Sequence, residues 1–365
     1  MHICKKNCTF AAKLFIDIDM KKNIAIIAGG DSSEYGVSLR SAAGIYSFLD
    51  KEKYNITIVC LRGNDWKAQV GEDEWVAIDK NDFSFTYNGT KNTFDFAYIT
   101  IHGTPGENGV LQGYFDLIGL PYSCCGVLAA AMTFNKFTCN HYLKNFGIRT
   151  AASILLRKGE NRPTAQEIIN EVGLPCFIKT NVGGSSFGVT KVKTLEEVEP
   201  AIEKAFGEGN EVICEAFMKG IEITCGVYKT KNKAVAFPIT EVVTSNEFFD
   251  YDAKYNGQVD EITPARIPDE VRDAVQAMTL KIYDILGCKG IIRVDYILTS
   301  LEDGTKCLQD GCAYSLEAKG MEINLLEVNT TPGMTATSFI PQQVRAAGLD
   351  IKEVLSEIVE DNFTV

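Results

Sequence analysis

Arg293, Asp295, Glu327 and Asn329 stand near the ends of two apolar runs, "GIIRVDYIL" and "EINLLEVN". Side chains alternate along a strand, so 293 and 295 share one face, as do 327 and 329. Asp, Glu and Asn are hard oxygen ligands, and no Cys or His stands with them in these runs. Such a set suits Mg²⁺, which is held by few carboxylates and by the phosphates of a substrate. Charge inside buried strands is costly unless paired or bound to metal. A structural salt bridge from Arg293 is the alternative reading.

A second stretch, "KTNVGGSSFGVTK" from Lys179 to Lys191, is rich in Gly and Ser with a lysine at each end. Gly183 to Gly188 has the G-x-x-x-x-G spacing of a P-loop, but Val189 and Thr190 follow where Lys and Ser or Thr are required. A P-loop runs from a strand into a helix, whereas "VTKVK" after this loop alternates like a strand. The stretch is therefore expected to be a hairpin tip. Its backbone N–H groups and serines could cradle an anion or fold over a ligand. A surface hairpin with no ligand is the alternative.

These residues must be held by buried strands and helices. The continuous apolar runs "NIAIIA", "NITIVCL" and "FDFAYITI" read as strands of a parallel α/β sheet with helices on both faces. A Gly-rich loop, "HGTPGENG", follows the third, and a long helical stretch over 127–146 ends this unit. Then come "SILLR", a helix around 163–172, "PCFIK", the Gly/Ser stretch, "VTKVK", a Thr194/Glu197 capping box and "EVICEAF". The last part reads as "EITCGVYKT", "AVAFPITEVV", a polar-aromatic loop over 244–263, and a helix opened by Pro268 and reaching Leu286. The two acidic strands and two closing helices complete it. The expected domains are 20–133, 134–220 and 221–365, with 1–19 as an extension.

Composition narrows the function. With 365 residues, 45% hydrophobic and 23% charged, the chain has room for two or three full cores. A net charge of −12 and the lack of a basic stripe argue against nucleic acid as a partner. No apolar run approaches membrane-span length, so no membrane association is expected. The 12 cysteines include no C-x-x-C pair, and several lie in apolar strand-like runs. They read as reduced thiols of a cytoplasmic protein.

Several of these motifs, with others, occur in one fixed order: "AGGDSSEYGVSLRS", "HGTPGENGVLQGYFDLIGLPYSCCG", "FIKTNVGGSSFGVTKV", "FFDYDAKYN", "GCKGIIRVDYIL" and "EVNTTPGMT". From Lys22 to Ile358 the chain resembles the D-alanine–D-alanine ligases of the ATP-grasp superfamily. The resemblance implies a three-domain α/β architecture, with an N-terminal Rossmann-like domain and two α+β domains clasping ATP. It implies ligation of two D-alanines through a D-alanyl phosphate, for peptidoglycan precursors. It also implies two Mg²⁺ ions, with Mn²⁺ as an alternative, and a homodimer. Lys136 and Lys179 would hold ATP phosphates, with Lys254 at the γ-phosphate. Glu215, Met218 and Glu222 would hold the adenine and ribose, and Phe217 would pack near the base. Asp295, Glu327 and Asn329 would bind the metal ions. Arg293 and the Gly333 backbone would stabilise the tetrahedral oxyanion. Glu34 would hold the ammonium of the first D-alanine in a relay with Ser185 and Tyr255. His102 would sit near that substrate, and Ser338 and Phe339 would frame the second.

The chain departs from the family pattern in places. Thr180 replaces a frequent Pro, and Gly36 replaces a second acid, which would leave Glu34 the only carboxylate there. Residues 300–321 insert about a dozen residues whose two Asp-Gly pairs suggest a surface hairpin. Taken without the resemblance, His102 could equally be a turn-stabilising histidine. His2 and His141 have no comparable context. A D-alanine–D-lactate or D-alanine–D-serine ligase is the close alternative function. An NAD(P) oxidoreductase, suggested by "IAIIAGG", lacks G-x-G-x-x-G and a well-placed acid. A silent nucleotide-binding module would not need the Arg293, Asp295, Glu327 and Asn329 set.

Overall fold

The computed structural model describes residues 21–183, 188–244, 259–300 and 320–363. The extension 1–19, the tip of the Gly/Ser hairpin, most of the 244–263 loop and most of the 300–321 insertion lie outside these.

The first sheet has the order β4-β3-β2-β1-β7. Its strands are β1 (Lys22–Gly29), β2 (Tyr54–Arg62), β3 (Asp65–Gln69), β4 (Trp75–Ala77) and β7 (Phe96–Ile99), and a small hairpin, β5 (Phe85–Tyr87) and β6 (Thr90–Asn92), stands apart. β1 is parallel to both β2 and β7. β3 and β4, not assigned from the sequence, add an antiparallel edge. The apolar run of β1 is buried on both faces. Ile24, Ile26 and Ala28 join one core, while Ala25 and Ile27 join another with Leu111 and Phe115. A strand that serves two cores has no polar face to alternate with, which is why it reads as continuous. α1 (Tyr35–Phe48) and α2 (Val110–Ile118) cover the two faces.

The long helix expected over 127–146 is two helices, α3 (Val127–Phe134) and α4 (Lys136–Lys144). Asn135 between them has extended backbone, φ −93° and ψ 98°, and its side chain accepts from the Thr138 N–H. An N-cap asparagine restarts the helix here and makes Lys136 its first residue.

The second sheet, β10-β9-β11-β8, is antiparallel: β8 (Ser153–Arg157), β9 (Cys176–Thr180), β10 (Thr190–Val192) and β11 (Glu211–Ala216). α5 (Ala165–Val172) and α6 (Val198–Glu208) close its core, with Ile168, Val172, Val198 and Ile202 buried beside Ile178. β9 and β10 form the two arms of the expected hairpin, with Thr190 opposite Ile178. The Thr194/Glu197 capping box is present.

The third sheet, β15-β14-β12-β16-β17 with β13 also on β12, is antiparallel as well. Its strands are β12 (Gly220–Lys229), β13 (Ala234–Ala236), β14 (Thr240–Thr244), β15 (Val259–Ile262), β16 (Ile291–Ser300) and β17 (Met321–Asn329). The run 234–243, read as one strand, is two, because Pro238 has no N–H to give a ladder. α7 (Asp269–Leu286) packs on this sheet, and so do Cys139 and Leu143 of α4. The closing helices, α8 (Phe339–Ala346) and α9 (Ile351–Asp361), join the core of the first sheet: Ile340, Val344, Leu355 and Ile358 bury with Ile24 and Ile26. The turn between β17 and α8 is thereby pressed against α1. A Cβ on Gly44 of α1 would lie 2.1 Å from the Met334 carbonyl oxygen, so this approach requires glycine.

Candidate active site

The sheet register sets the acidic face. Thr224 of β12 lies opposite Asp295 of β16, which lies opposite Glu327 of β17. One step along, Gly226, Arg293 and Asn329 form a second row. Directly opposed residues share a face, so the two pairs read from the sequence point to one side of the sheet. The register shifts after Asp295: Tyr296 pairs with Leu325, which leaves Leu326 as the extra residue of a bulge. Bulges re-aim neighbouring side chains and recur beside active sites.

Asp295 is the hub of this face. Its Oδ1 accepts from Thr224 Oγ1 (2.5 Å) and Arg293 Nε (2.8 Å). Its Oδ2 accepts from Arg293 Nη2 (2.7 Å) and Asn329 Nδ2 (3.0 Å). Burial opposes the charge on Arg293, but the Asp295 carboxylate outweighs it and holds the guanidinium above its ordinary pKa. The guanidinium also lies 5.2 Å from the centre of the Phe339 ring. With its amide nitrogen on Asp295, Asn329 keeps its carbonyl oxygen for another partner. Glu327, Asn329 and Asp295 are thus all-oxygen donors on two adjacent strands. Among the described residues, no three His, Cys, Asp or Glu side chains gather as a closed metal cage. An open set of few carboxylates fits Mg²⁺, which completes its shell with water and substrate oxygens.

Two lysines reach this face from other elements. Lys136 Nζ lies 3.9 Å from Glu327 and donates to the Gly183 carbonyl at 2.6 Å. Burial holds its pKa below the ordinary lysine value, although Glu327 pulls the other way. Lys179 on β9 forms an ion pair with Glu215 of β11. Burial opposes its charge too, but the carboxylate prevails and its pKa is raised. Beyond Glu215, Phe217 packs on Phe177 with ring centres 5.9 Å apart, and Lys191 Nζ sits 4.3 Å above the Phe217 ring. Met218 is buried nearby in the same core. Glu222 lies two residues before Thr224, on the face that carries Asp295.

The first-sheet side supplies the substrate loops. Glu34 ends the turn before α1, and its N–H donates to Ser32 Oγ at 3.2 Å. His102 is buried, with Nε2 3.3 Å from Ser41 Oγ, which accepts from the Met334 N–H. Ser32 Oγ donates to the His102 carbonyl at 2.7 Å. Ser338 caps the turn before α8: its Oγ accepts from the Thr335 N–H at 3.0 Å and lies 3.0 Å from where a Cβ of Gly333 would stand. Ser185, Lys254 and Tyr255 lie outside the described residues.

Sequence reasoning missed Glu107. Its Oε2 accepts from the Gly103 N–H (2.6 Å) and its Oε1 from Thr331 Oγ1 (2.7 Å). It lies within electrostatic range of Glu34, so Gly36 does not leave Glu34 alone. The available signal was an acid inside the loop "HGTPGENG". Thr224 was missed because a threonine in a strand is ordinary. Asn181, fully buried, was missed inside the Gly/Ser stretch.

Burial raises the pKa of Glu107, and Glu34 adds to it, against smaller opposing effects of His102, Thr331 and Gly103. Lys136 and Cys124 are the other titratable groups that face it. A carboxyl whose pKa is higher folded than unfolded holds its proton more tightly in the folded state. Ionising it costs stability above the folded pKa, and that cost vanishes below the unfolded one. Glu107→Gln should therefore melt above wild type at about pH 8, with the gap closing toward about pH 4. Melting curves across this range check it; a gap independent of pH would trace to packing instead.

Comparison with known proteins agrees with this geometry. The family model described as "D-ala D-ala ligase N-terminus" matches residues 23–125. That described as "D-ala D-ala ligase C-terminus" matches 142–310 and 313–360. The chain is 64% identical over 344 residues to a D-alanine–D-alanine ligase of Phocaeicola vulgatus, covering 94% of this chain and 100% of that one. It is 53% identical to one from Porphyromonas gingivalis, covering 94% and 99%. Among solved structures it is similar to the VanG D-Ala:D-Ser ligase from Enterococcus faecalis, with TM-score 0.79, 29% identity and 94% and 100% coverage. It is also similar to a D-alanine–D-alanine ligase from Bacillus anthracis complexed with ATP, with TM-score 0.70, 28% identity and 94% and 97% coverage. The chain belongs to the D-alanine–D-alanine ligase family, with the ATP-grasp fold.

Proposed function

We propose that this chain joins two D-alanines into D-alanyl-D-alanine, with conversion of ATP to ADP and phosphate, for peptidoglycan precursor synthesis. The observation that carries this reading is the single face of Arg293, Asp295, Glu327 and Asn329 with Lys136 3.9 Å from Glu327. An amine cannot displace oxide from a carboxylate at a useful rate. Transfer of the γ-phosphate to the first D-alanine turns that oxygen into a phosphate leaving group. Attack by the second D-alanine then forms the amide and releases phosphate.

Residue roles follow from charge and position. Lys136 and Lys179 hold the ATP phosphates, joined by Lys254. Glu215, Phe217, Met218 and Glu222 line the adenosine end. Mg²⁺ held by Asp295, Glu327 and Asn329 would supply positive charge over the transferring phosphate. Glu34 holds the ammonium of the first D-alanine with Ser185 and Tyr255, and His102 lies beside it. Arg293 and the Gly333 N–H stabilise the oxyanion, and Ser338 and Phe339 frame the second substrate. The domain division 20–133, 134–220 and 221–365 is supported by the three separate sheets.

A homodimer is supported by α2 and α3. Leu117 is 88% and Leu128 74% exposed, beside exposed Val110 and Val127. Asp116 is the one charge in α2, and α3 has none. Two copies of a chain with net charge −12 can meet there without strong repulsion. A cytoplasmic setting is supported by the eight described cysteines, all free thiols. Among the described residues no helix is long and apolar enough to cross a membrane.

Glu327→Ala should leave the fold intact and cut turnover by about a thousandfold, from loss of ~4 kcal/mol of transition-state charge stabilisation. Undiminished ATP turnover in the folded variant would remove Glu327 from the metal set. With equal D-alanine and D-lactate at about pH 7, the product should be mainly dipeptide, rising with pH as the attacking ammonium loses its proton. A depsipeptide majority would assign the chain to the D-lactate ligases, and a preference for D-serine to those enzymes. Leu117→Asp combined with Leu128→Asp should shift the mass in solution, by light scattering, from dimer to monomer. A monomeric wild type at the same concentration would end the dimer proposal.

A further inference from the structure

Glu107 joins two parts of the site that are distant in sequence. Its carboxylate binds the Gly103 N–H on its own loop and the Thr331 hydroxyl, 224 positions away. The Thr331 hydroxyl also faces the Ile101 carbonyl at 3.3 Å. Gly103 follows His102, and Thr331 follows Asn329 by two residues. A second link runs parallel, from His102 through Ser41 to the Met334 N–H. The loop beside the first substrate is thus tied to the exit of the strand that carries Glu327 and Asn329.

We propose that Glu107 is a positioning residue: through Gly103 and Thr331 it sets the distance between the first D-alanine and the phosphate it must attack. The proposal rests on the ligase reading above. In-line transfer requires the attacking oxygen about 3–3.5 Å from phosphorus, and an error of about 1 Å can cost a hundredfold in rate. The two reactants are held by different sheets, one by the first and one by the third, so something must fix their separation. The carboxylate does this with two short bonds in a buried place. Its ionised form is disfavoured there. A residue retained only for stability would be better as a neutral one.

The test is a set of full-length variants assayed for dipeptide, phosphate and melting temperature. Glu107→Ala and Thr331→Val should raise KM for the first D-alanine by about tenfold or more, with KM for ATP within about twofold. Misplaced D-alanine leaves the phosphate open to water, so more than one phosphate should be released per dipeptide. The double variant should be no worse than either single one, because both break the same link. Thr331→Ser and Glu107→Gln should restore coupling: the serine keeps the hydroxyl, and the glutamine oxygen can accept from Gly103 while its amide donates to Thr331 Oγ1, which then donates to Ile101. Unchanged KM with one phosphate per dipeptide in Glu107→Ala and Thr331→Val would overturn the proposal. Activity that falls only with melting temperature, at one phosphate per dipeptide, would make Glu107 a packing residue and overturn it as well. A wild-type protein that forms no dipeptide in the same assay would overturn the ligase reading, and the proposal with it.

Discussion

One carboxylate holds the site together. Asp295 is buried in the middle of a sheet, where an isolated charge would cost several kcal/mol. Four hydrogen bonds from Thr224, Arg293 and Asn329 offset that cost. They come from three adjacent strands, so the register of the third sheet and the chemistry of the site are one fact. Removing Asp295 would leave the Arg293 guanidinium buried and unpaired, a loss of about 3–5 kcal/mol. The same contact fixes the plane of that guanidinium over Phe339 and turns the Asn329 oxygen outward. Stability and function are therefore not separable at this residue.

Around that hub, the remaining parts arrive from separate cores. Lys136 comes from a helix packed on the third sheet, Lys179 and Glu215 from the second, and His102 from the first. The closing helices return to the first sheet and bury Ile340 and Leu355 against Ile24 and Ile26. This return presses the 330–338 turn onto α1 at Gly44, where no side chain has room. A site at the junction of three cores can be preorganised only if the junctions are specific. Here they are made by buried polar links, such as Ser41 to Met334 and Glu107 to Thr331, rather than by apolar contact alone.

Much of this was legible in the sequence because it depends on periodicity. The strands carrying Arg293, Asp295, Glu327 and Asn329 follow from apolar runs, and their shared faces from alternation. The hairpin at Lys179–Lys191 follows from the pattern after the loop. What was not legible depends on partners far along the chain. Alternation cannot say that the two acidic pairs face the same side, since that needs the register. It cannot distinguish Thr224 from any strand threonine, or give Glu107 a partner 224 positions away. The break at Asn135 was missed for another reason. The apolar positions continue through it, and only the cap bond from Thr138 shows that the helix restarts. Pro238 carried its signal openly, but the apolar run around it hid the division.

The Gly/Ser stretch shows why the lysines converge. A P-loop sets phosphate against the N-terminus of a helix, so the backbone supplies much of the positive potential. Here the nearest helix start is α4, and its first amides are occupied. The Lys136 N–H donates to the Asn181 carbonyl (3.2 Å), the Phe137 N–H to Asn181 Oδ1 (2.9 Å) and the Thr138 N–H to Asn135 Oδ1 (2.9 Å). Asn181 is itself held by Glu211, whose Oε2 accepts from its Nδ2 at 2.7 Å. The stretch therefore uses its asparagine to close the helix end instead of leaving it open to an anion. With those N–H groups spent, an anion beside an acidic sheet face can be neutralised only by side chains or metal. Lys136, placed at the first turn of α4, and Lys179, at the base of the hairpin, are the side chains positioned to do so.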